Sequence, residues 1–318
     1  MSAPTVVGDE KRLQVGIQLP VQSQSTIYVD PWETTAGPTD LAAVARQADE
    51  SGFLYVAVCD HMAIPRRLAD AMGTTWYDPV ATLGWLAALT TRVQLLSHVY
   101  IAAQRHPLRT AKEFSTLDVL SGGRVIIGVG AGHVNEEFDA VGVDFDHRGS
   151  ALDEALAALS GALTEEFVTL PGPRWPTAEM AVAPRPVQQP RPPIWVGGSS
   201  HAALRRAARY GDGWLPQTPK RSDMAELIPA LLEMRAEFRP DDPLAVGALG
   251  GPLHVGPADW ELPRGTRSGS PEELGEWLRQ WADLGVSHIQ LRFPSRSATE
   301  LCDQIAAFGE EVGPLLVL

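Results

Sequence analysis

The sequence predicts an α/β chain folded as a (β/α)8 TIM barrel, and two observations carry that expectation. Short apolar runs alternate with longer amphipathic segments, the pattern of repeated βα units feeding a parallel sheet. Eight strand candidates alternate with eight helix candidates along 318 residues, a length at which barrels are commonly one domain. A doubly wound sheet would need fewer strands or a visible domain break. Residues 1–318 therefore read as a single domain with an insertion at about 165–193.

The first strand is LQVGIQL (13–19), and its helix is TDLAAVARQADESG (39–52), with Thr39 as candidate cap. FLYVAV follows as strand two, stopping at Cys59 and Asp60, and DPVATLGWLAALTT is a helix with Asp78 at the cap and Pro79 in its first turn. Strand three, VQLLSHVYI (93–101), leads to a helix that starts at His106-Pro107 and ends on Gly122-Gly123. Strand four spans 124–129, and its helix spans 150–164. The proline-rich stretch 170–193 interrupts the pattern before strand five, IWVGG, and the helix SSHAALRRAARYG. Strand six is the short GWLP, with MAELIPALLEMRAEF behind it. LAVGALGGPLHVG holds strand seven, SPEELGEWLRQWADLG is a helix, VSHIQLRF is strand eight, and SATELCDQIAAFGEEV closes the chain.

The formal net charge of −13, with no basic run, argues against nucleic acid or anionic membrane as partner. The stretch MSAPTVVGDEKR has no secretory pattern and no apolar run reaches spanning length, so a cytoplasmic location is expected. Cys59 and Cys302 offer neither a disulfide framework nor a CxxC pair.

Barrel chemistry sits on the loops after the strands, and three of these are long: 20–38, 60–77 and 130–149. In RVIIGVGAGHVNEEF, Gly128, Gly130 and Gly132 match a dinucleotide fingerprint only in part, because its third glycine would fall at His133. Glycine at a strand end lets the backbone approach a ring or phosphate closely, or merely turns the chain. Gly197, Gly198 and Ser199 lead into a helix whose first amides lack internal partners, which makes an anion site. His61, His98 and His133, with Asp60, predict a polar cluster around one mouth. A metallohydrolase would use such a set as ligands, but strand one ends without His, Asp or Glu, and neither HxH nor HExxH occurs. No GxSxG supports a serine nucleophile, and Cys59 reads as a buried strand cysteine. Trp32 and Trp76 are equally readable as core or as flanking a ring, while Trp195 and Trp214 read as core.

FLYVAVCDHM, YDPVATLGWLAALTTRVQL, HPLRTAKEFSTLDVLSGGRVIIGVGAG, EEFDAVGVDFDHRGSALDEAL and RPPIWVGGSSHAALRRAARYGDGW together resemble the luciferase-like monooxygenase family, in particular its deazaflavin-dependent oxidoreductases. The resemblance runs in order over most of 13–215, and LDVLSGGRVIIGVGAG is its most specific part. It implies a luciferase-like (β/α)8 barrel binding coenzyme F420 or FMN at the C-terminal mouth. It implies a cis peptide within Ser97, His98 and Val99, at His98–Val99, backing the cofactor ring. It further implies cofactor contacts at Ala131, Gly132 and His133, at Gly197, Gly198 and Ser199, and near Asp60. His61 matches a catalytic histidine of a sugar-phosphate dehydrogenase branch, in which a glutamate stands where this chain has His133.

The expected function is therefore hydride transfer between F420 and a small organic substrate, with His61 as first and His133 as second choice for moving the proton. The alternatives are an FMN-dependent monooxygenase using reduced flavin and oxygen, a non-catalytic flavin-binding protein and a metal-dependent hydrolase. The loops 20–38 and 165–193 are expected to shape the substrate pocket, and a homodimer is implied by family habit.

Overall fold

A computed structural model describes residues 12–26, 29–217 and 220–318. The segment through Lys11, read above for a secretory pattern, and Ile27-Tyr28 within the loop 20–38 lie outside the described residues. In chain order the strands are β1 (Gln14–Gln18), β2 (Tyr55–Val58), β3 (Gln94–Ser97), β4 (Val125–Val129), β5 (Val168–Leu170), β6 (Thr177–Met180), β7 (Ile194–Val196), β8 (Gly213–Trp214), β9 (Ala245–Val255), β10 (Arg267–Gly269) and β11 (His288–Arg292). Eight of them pair in parallel in the order β1-β2-β3-β4-β7-β8-β9-β11, and β11 returns to β1. This is the closed (β/α)8 barrel that the sequence predicts.

Ten α-helices surround it among the described residues: α1 (Pro38–Glu50), α2 (Ala69–Met72), α3 (Pro79–Ala87), α4 (Pro107–Ser121), α5 (Asn135–Ala140), α6 (Arg148–Thr164), α7 (His201–Tyr210), α8 (Arg221–Phe238), α9 (Pro271–Ala282) and α10 (Ala298–Ala307). Their starts follow local chemistry. Asp78 accepts the Ala81 N–H at 2.8 Å ahead of Pro79, and Ser200 accepts the Ala203 N–H at 3.2 Å. α4 stops where Gly122 turns left-handed, φ 71°. Thr39, expected to cap α1, lies one residue inside it. Gly37 is the cap, and its N–H donates to Asp40.

Strand alternation sorts the core into two regions. Tyr55, Ala57, Leu96, Ile126, Trp195, Leu215 and Ala245 form the inner cluster, while Val56, Val58, Leu95 and Ile127 join the larger layer beneath the helices. Tyr55 and Trp195 meet edge to face, 5.6 Å between ring centres. Gly16 and Gly213 stand where those rings leave no room for a Cβ, so the glycines and the aromatics fill the barrel jointly.

Three features depart from expectation. Strand three ends at Ser97 rather than at 101: His98–Val99 is cis, the bond anticipated, and Tyr100 rejoins β4 by accepting the Gly130 N–H and donating to the Gly128 carbonyl. The segment 165–193 contains the antiparallel hairpin β5/β6, tied to α4 by Asp118, which accepts the Val187 and Gln188 N–H groups. β10, unforeseen, adds beside β9 outside the ring of eight. No helix of the described residues is long and apolar enough to cross a membrane.

Candidate active site

The C-terminal ends of the strands enclose a cavity of about 610 Å³, within the usual range for small-molecule sites. All three long loops contribute: Ser23 and Glu33 from the first, His61 and Trp76 from the second, Ala131 to His133 from the third. The segment 165–193 contributes nothing, contrary to expectation. It precedes β7 and runs along the outside of α6, where Arg185 donates to the Ala162 and Leu163 carbonyls.

His61 is held by a carboxylate from another loop. Its Nδ1 lies 2.9 Å from Glu137 Oε2, and Glu137 Oε1 accepts the N–H groups of Met62 at 2.6 Å and Ala63 at 3.2 Å. Trp76 and the imidazole meet edge to face, 4.5 Å between ring centres, and His133 stands perpendicular to the same imidazole at 5.3 Å. Burial works against charge on Glu137, but the His61 contact and the two amides outweigh it and hold its carboxyl below the usual range. Burial, and then the neighbouring His61, push His133 down, which keeps that ring neutral near pH 7.

Asp60 lines the same cavity, yet its carboxylate is fully engaged. Arg105 grips it through both terminal nitrogens, at 2.5 and 2.9 Å, and the Ile101 N–H donates to it at 2.8 Å. Asp60 thus braces the end of β2 against the segment after β3. Trp32, unlike Trp76, does not line the cavity, and its indole N–H donates to Ser295.

His98 and Val99 line the cavity, whereas Ser97 is fully buried and bonded both ways to Gly128, as donor to its carbonyl and acceptor of its N–H. A Cβ on Gly128 would lie 1.9 Å from the Ser97 carbonyl oxygen, and Cβ atoms on Gly130 and Gly197 would lie 2.5 and 2.8 Å from the Val99 methyls. The space these glycines leave is therefore occupied by β3 and its continuation, not held open for a ligand. His98 Nδ1 lies 3.1 Å from Gln290 Oε1, Gln290 donates to Gln18, and Gln18 donates to Cys59 Sγ at 2.8 Å. Contrary to the buried-strand expectation, Cys59 lies just past β2, is half-buried and lines the cavity, and loss of solvation pushes its thiol up to about 11.

Burial pushes His98 down to about 4, against a small opposing pull from the Leu215 carbonyl and Gln290. Between that value and the ordinary histidine pKa near 6.5 the unfolded chain binds a proton that the folded one refuses. Stability is unaffected above about pH 6.5 and falls as pH drops through the window, by about 3 kcal/mol for this group alone. In urea unfolding at about pH 7 and about pH 4.5, the native chain should lose about 2 kcal/mol more stability than His98→Gln, most of the full window. Parallel losses in the two proteins would show that His98 does not carry the effect.

Beside Val99, Gly197 and Gly198 line the cavity ahead of α7, with Ser200 and Arg206 beyond them. Gly198 has φ 91°, which favours glycine, and its carbonyl accepts the indole N–H of the buried Trp214 at 2.8 Å. Arg206 is held by Asp153 at 2.6 Å and donates to the Gly149 carbonyl. Ser199 is not among the lining residues. At the outer rim, Glu33 accepts the Val21 and Asp30 N–H groups, and Asp30 accepts the Ser295 N–H and lies 3.9 Å from Arg292. Burial raises both carboxyls above their ordinary range. Among the described residues no cluster of three or more His, Cys, Asp or Glu is placed to hold a metal ion.

The structure thus brings together Asp60, His61, His98, Val99, Ala131, Gly132, His133, Gly197 and Gly198, and leaves Ser97 and Ser199 off the cavity surface. Sequence reasoning missed Glu137, Arg105 and Arg206, and the glutamine pair Gln18 and Gln290. The only local hint for Glu137 is the NEEF that follows GAGH directly, and nothing in it points 76 residues upstream to His61.

A family model described as luciferase-like monooxygenase matches residues 13–268. An uncharacterised protein of Mycobacterium tuberculosis is 32% identical over 295 residues, covering 86% of this chain and 93% of its own. An F420-dependent glucose-6-phosphate dehydrogenase of Kineococcus radiotolerans is 29% identical over 324 residues, covering 88% and 93%. Among solved structures, the coenzyme F420-dependent tetrahydromethanopterin reductase of Methanopyrus kandleri superposes with a TM-score of 0.75 at 19% identity, over 96% of this chain and 99% of that one, a likeness of fold.

Proposed function

This chain belongs to the luciferase-like monooxygenase family, and from that premise we propose that it is an oxidoreductase transferring a hydride between coenzyme F420 and a small organic substrate. The observation that carries the reading is a single cavity joining a glycine-rich helix start to an imidazole braced by a carboxylate. The dehydrogenase relative adds support for F420 in particular.

The residues suit such a coenzyme. The 610 Å³ cavity has an apolar wall that includes Ile17, Val99 and Leu249, and amide groups at Gln18 and Gln290 could meet the polar edge of a planar ring. The start of α7 after Gly197 and Gly198 offers unpartnered N–H groups to a phosphate. When bound, the deazaflavin supplies or accepts hydride at its C5 and reacts sluggishly with oxygen.

The chain's own residues do the rest. Val99 would back the ring, the helix start at Gly197 and Gly198 would hold the phosphate, and Asp60 keeps the β2 and β3 ends in register by gripping Arg105. His61 exchanges a proton with the substrate through Nε2, which has no hydrogen bond among the described residues. His133 stays neutral beside it and helps exclude water. The second reading, an FMN-dependent monooxygenase using reduced flavin and oxygen, draws on the description of the matched family.

Titration of the purified protein with F420 and separately with FMN, followed by cofactor fluorescence at one salt concentration, tests the choice. Tighter binding of F420 is expected. Preference for FMN would move the chain to oxygen chemistry, and binding of neither would remove both readings.

A further inference from the structure

We propose that Glu137 is a positioning residue that fixes the tautomer of His61, so that the neutral ring carries its proton on Nδ1 and presents a bare Nε2 to the cavity. The inference rests on the assignment of His61 as the proton-handling group, and it adds a residue from another loop.

The geometry leaves the carboxylate little freedom. Glu137 sits in the first turns of the six-residue α5, is buried, and uses one oxygen for the Met62 and Ala63 N–H groups and the other for His61 Nδ1. An ionised carboxylate only accepts, so the nitrogen facing it must bear hydrogen. The same contacts fix the backbone of 62–63 and the ring beside it, so one side chain sets both the position of His61 and which nitrogen is free.

The charged and titratable groups around the pair do not compete for this role. Asp60 is taken by Arg105, Glu136 turns outward to Arg67, and His133 presents a ring at right angles with no hydrogen bond to His61. Trp76 packs against the imidazole edge to face and offers its Nδ1 no competing acceptor. The depressed pKa of Glu137 agrees with an ionised carboxylate at working pH.

Glu137→Gln separates this role from a purely structural one. The Met62 and Ala63 amides are donors, so they draw the glutamine carbonyl toward themselves and turn its NH2 group to His61 Nδ1. Donor then meets donor unless the ring proton moves to Nε2. Nitrogen-15 NMR of the imidazoles in the coenzyme-free full chain, with His61 assigned by its loss in His61→Ala, reads the tautomer directly.

The expected result is Nδ1–H for the native chain at pH values where the ring is neutral, and a switch to Nε2–H in Glu137→Gln. Nε2–H in the native chain overturns the proposal without any variant, so a poorly folding Glu137→Gln would not shelter it. A folded Glu137→Gln that keeps Nδ1–H overturns it as well. F420 fluorescence titration of the same native sample separates the two readings: the expected tautomers without F420 binding would leave Glu137 positioning His61 and discard the coenzyme.

Discussion

Gly128→Ala should destabilise the barrel by more than about 3 kcal/mol, at the upper end of what overpacking costs. The new Cβ would lie 1.9 Å from the Ser97 carbonyl oxygen and 2.9 Å from a Leu96 methyl. A methyl at such a distance from backbone cannot be absorbed by a side-chain rotation. The strands must separate, and with them goes the pair of hydrogen bonds between Ser97 Oγ and Gly128. Urea unfolding of the native chain, Gly128→Ala and Gly84→Ala tests this. Gly84 lies within α3 with nothing near its missing Cβ, so alanine there should be neutral or stabilising by up to about 1 kcal/mol. Equal stability of native chain and Gly128→Ala would mean that β3 and β4 approach less closely than described.

The second large effect concerns turnover. His61→Ala should lower kcat by about 10²–10⁴-fold, the range for losing a general acid or base, in any F420-coupled reaction the native chain supports. Binding of F420 should change little, because the helix start at Gly197 and Gly198 lies on another strand end. His133→Ala should cost less, since burial already keeps that ring neutral. Native kcat in His61→Ala would reassign the proton to another group.

Periodicity made the barrel legible because each strand of a parallel sheet is a short apolar run and each return helix an amphipathic one. YVAV and VIIGV are buried at every position and needed no further context. β10 escaped notice because Arg267–Gly269 has no apolar character and pairs at the rim of β9. The premature end of β3 is equally silent in composition, since SHVYI looks like any strand; the family resemblance alone marked the His98–Val99 bond. Within the site, strand-end residues were legible by position. Their partners were not: Arg105 meets Asp60 from 45 residues away, and Glu137 meets His61 from 76. Such pairings depend on how loops fold over the mouth. The segment 165–193 misled for a related reason, since its proline content says nothing about which end of the barrel it serves.

The contact of Val99 with Gly130 and Gly197 also sets an order in which this wall can evolve. Each glycine has already given up all it can, and each would place a Cβ against a Val99 methyl. Either glycine can therefore acquire a side chain without displacing Val99 only after Val99 has been shortened. Val99→Ala is the permissive first step, and the same glycine replacements made first would be selected against. A lineage that reshapes the floor of this cavity has one entrance to the path, and it lies at the centre of the wall, not at the positions that finally change.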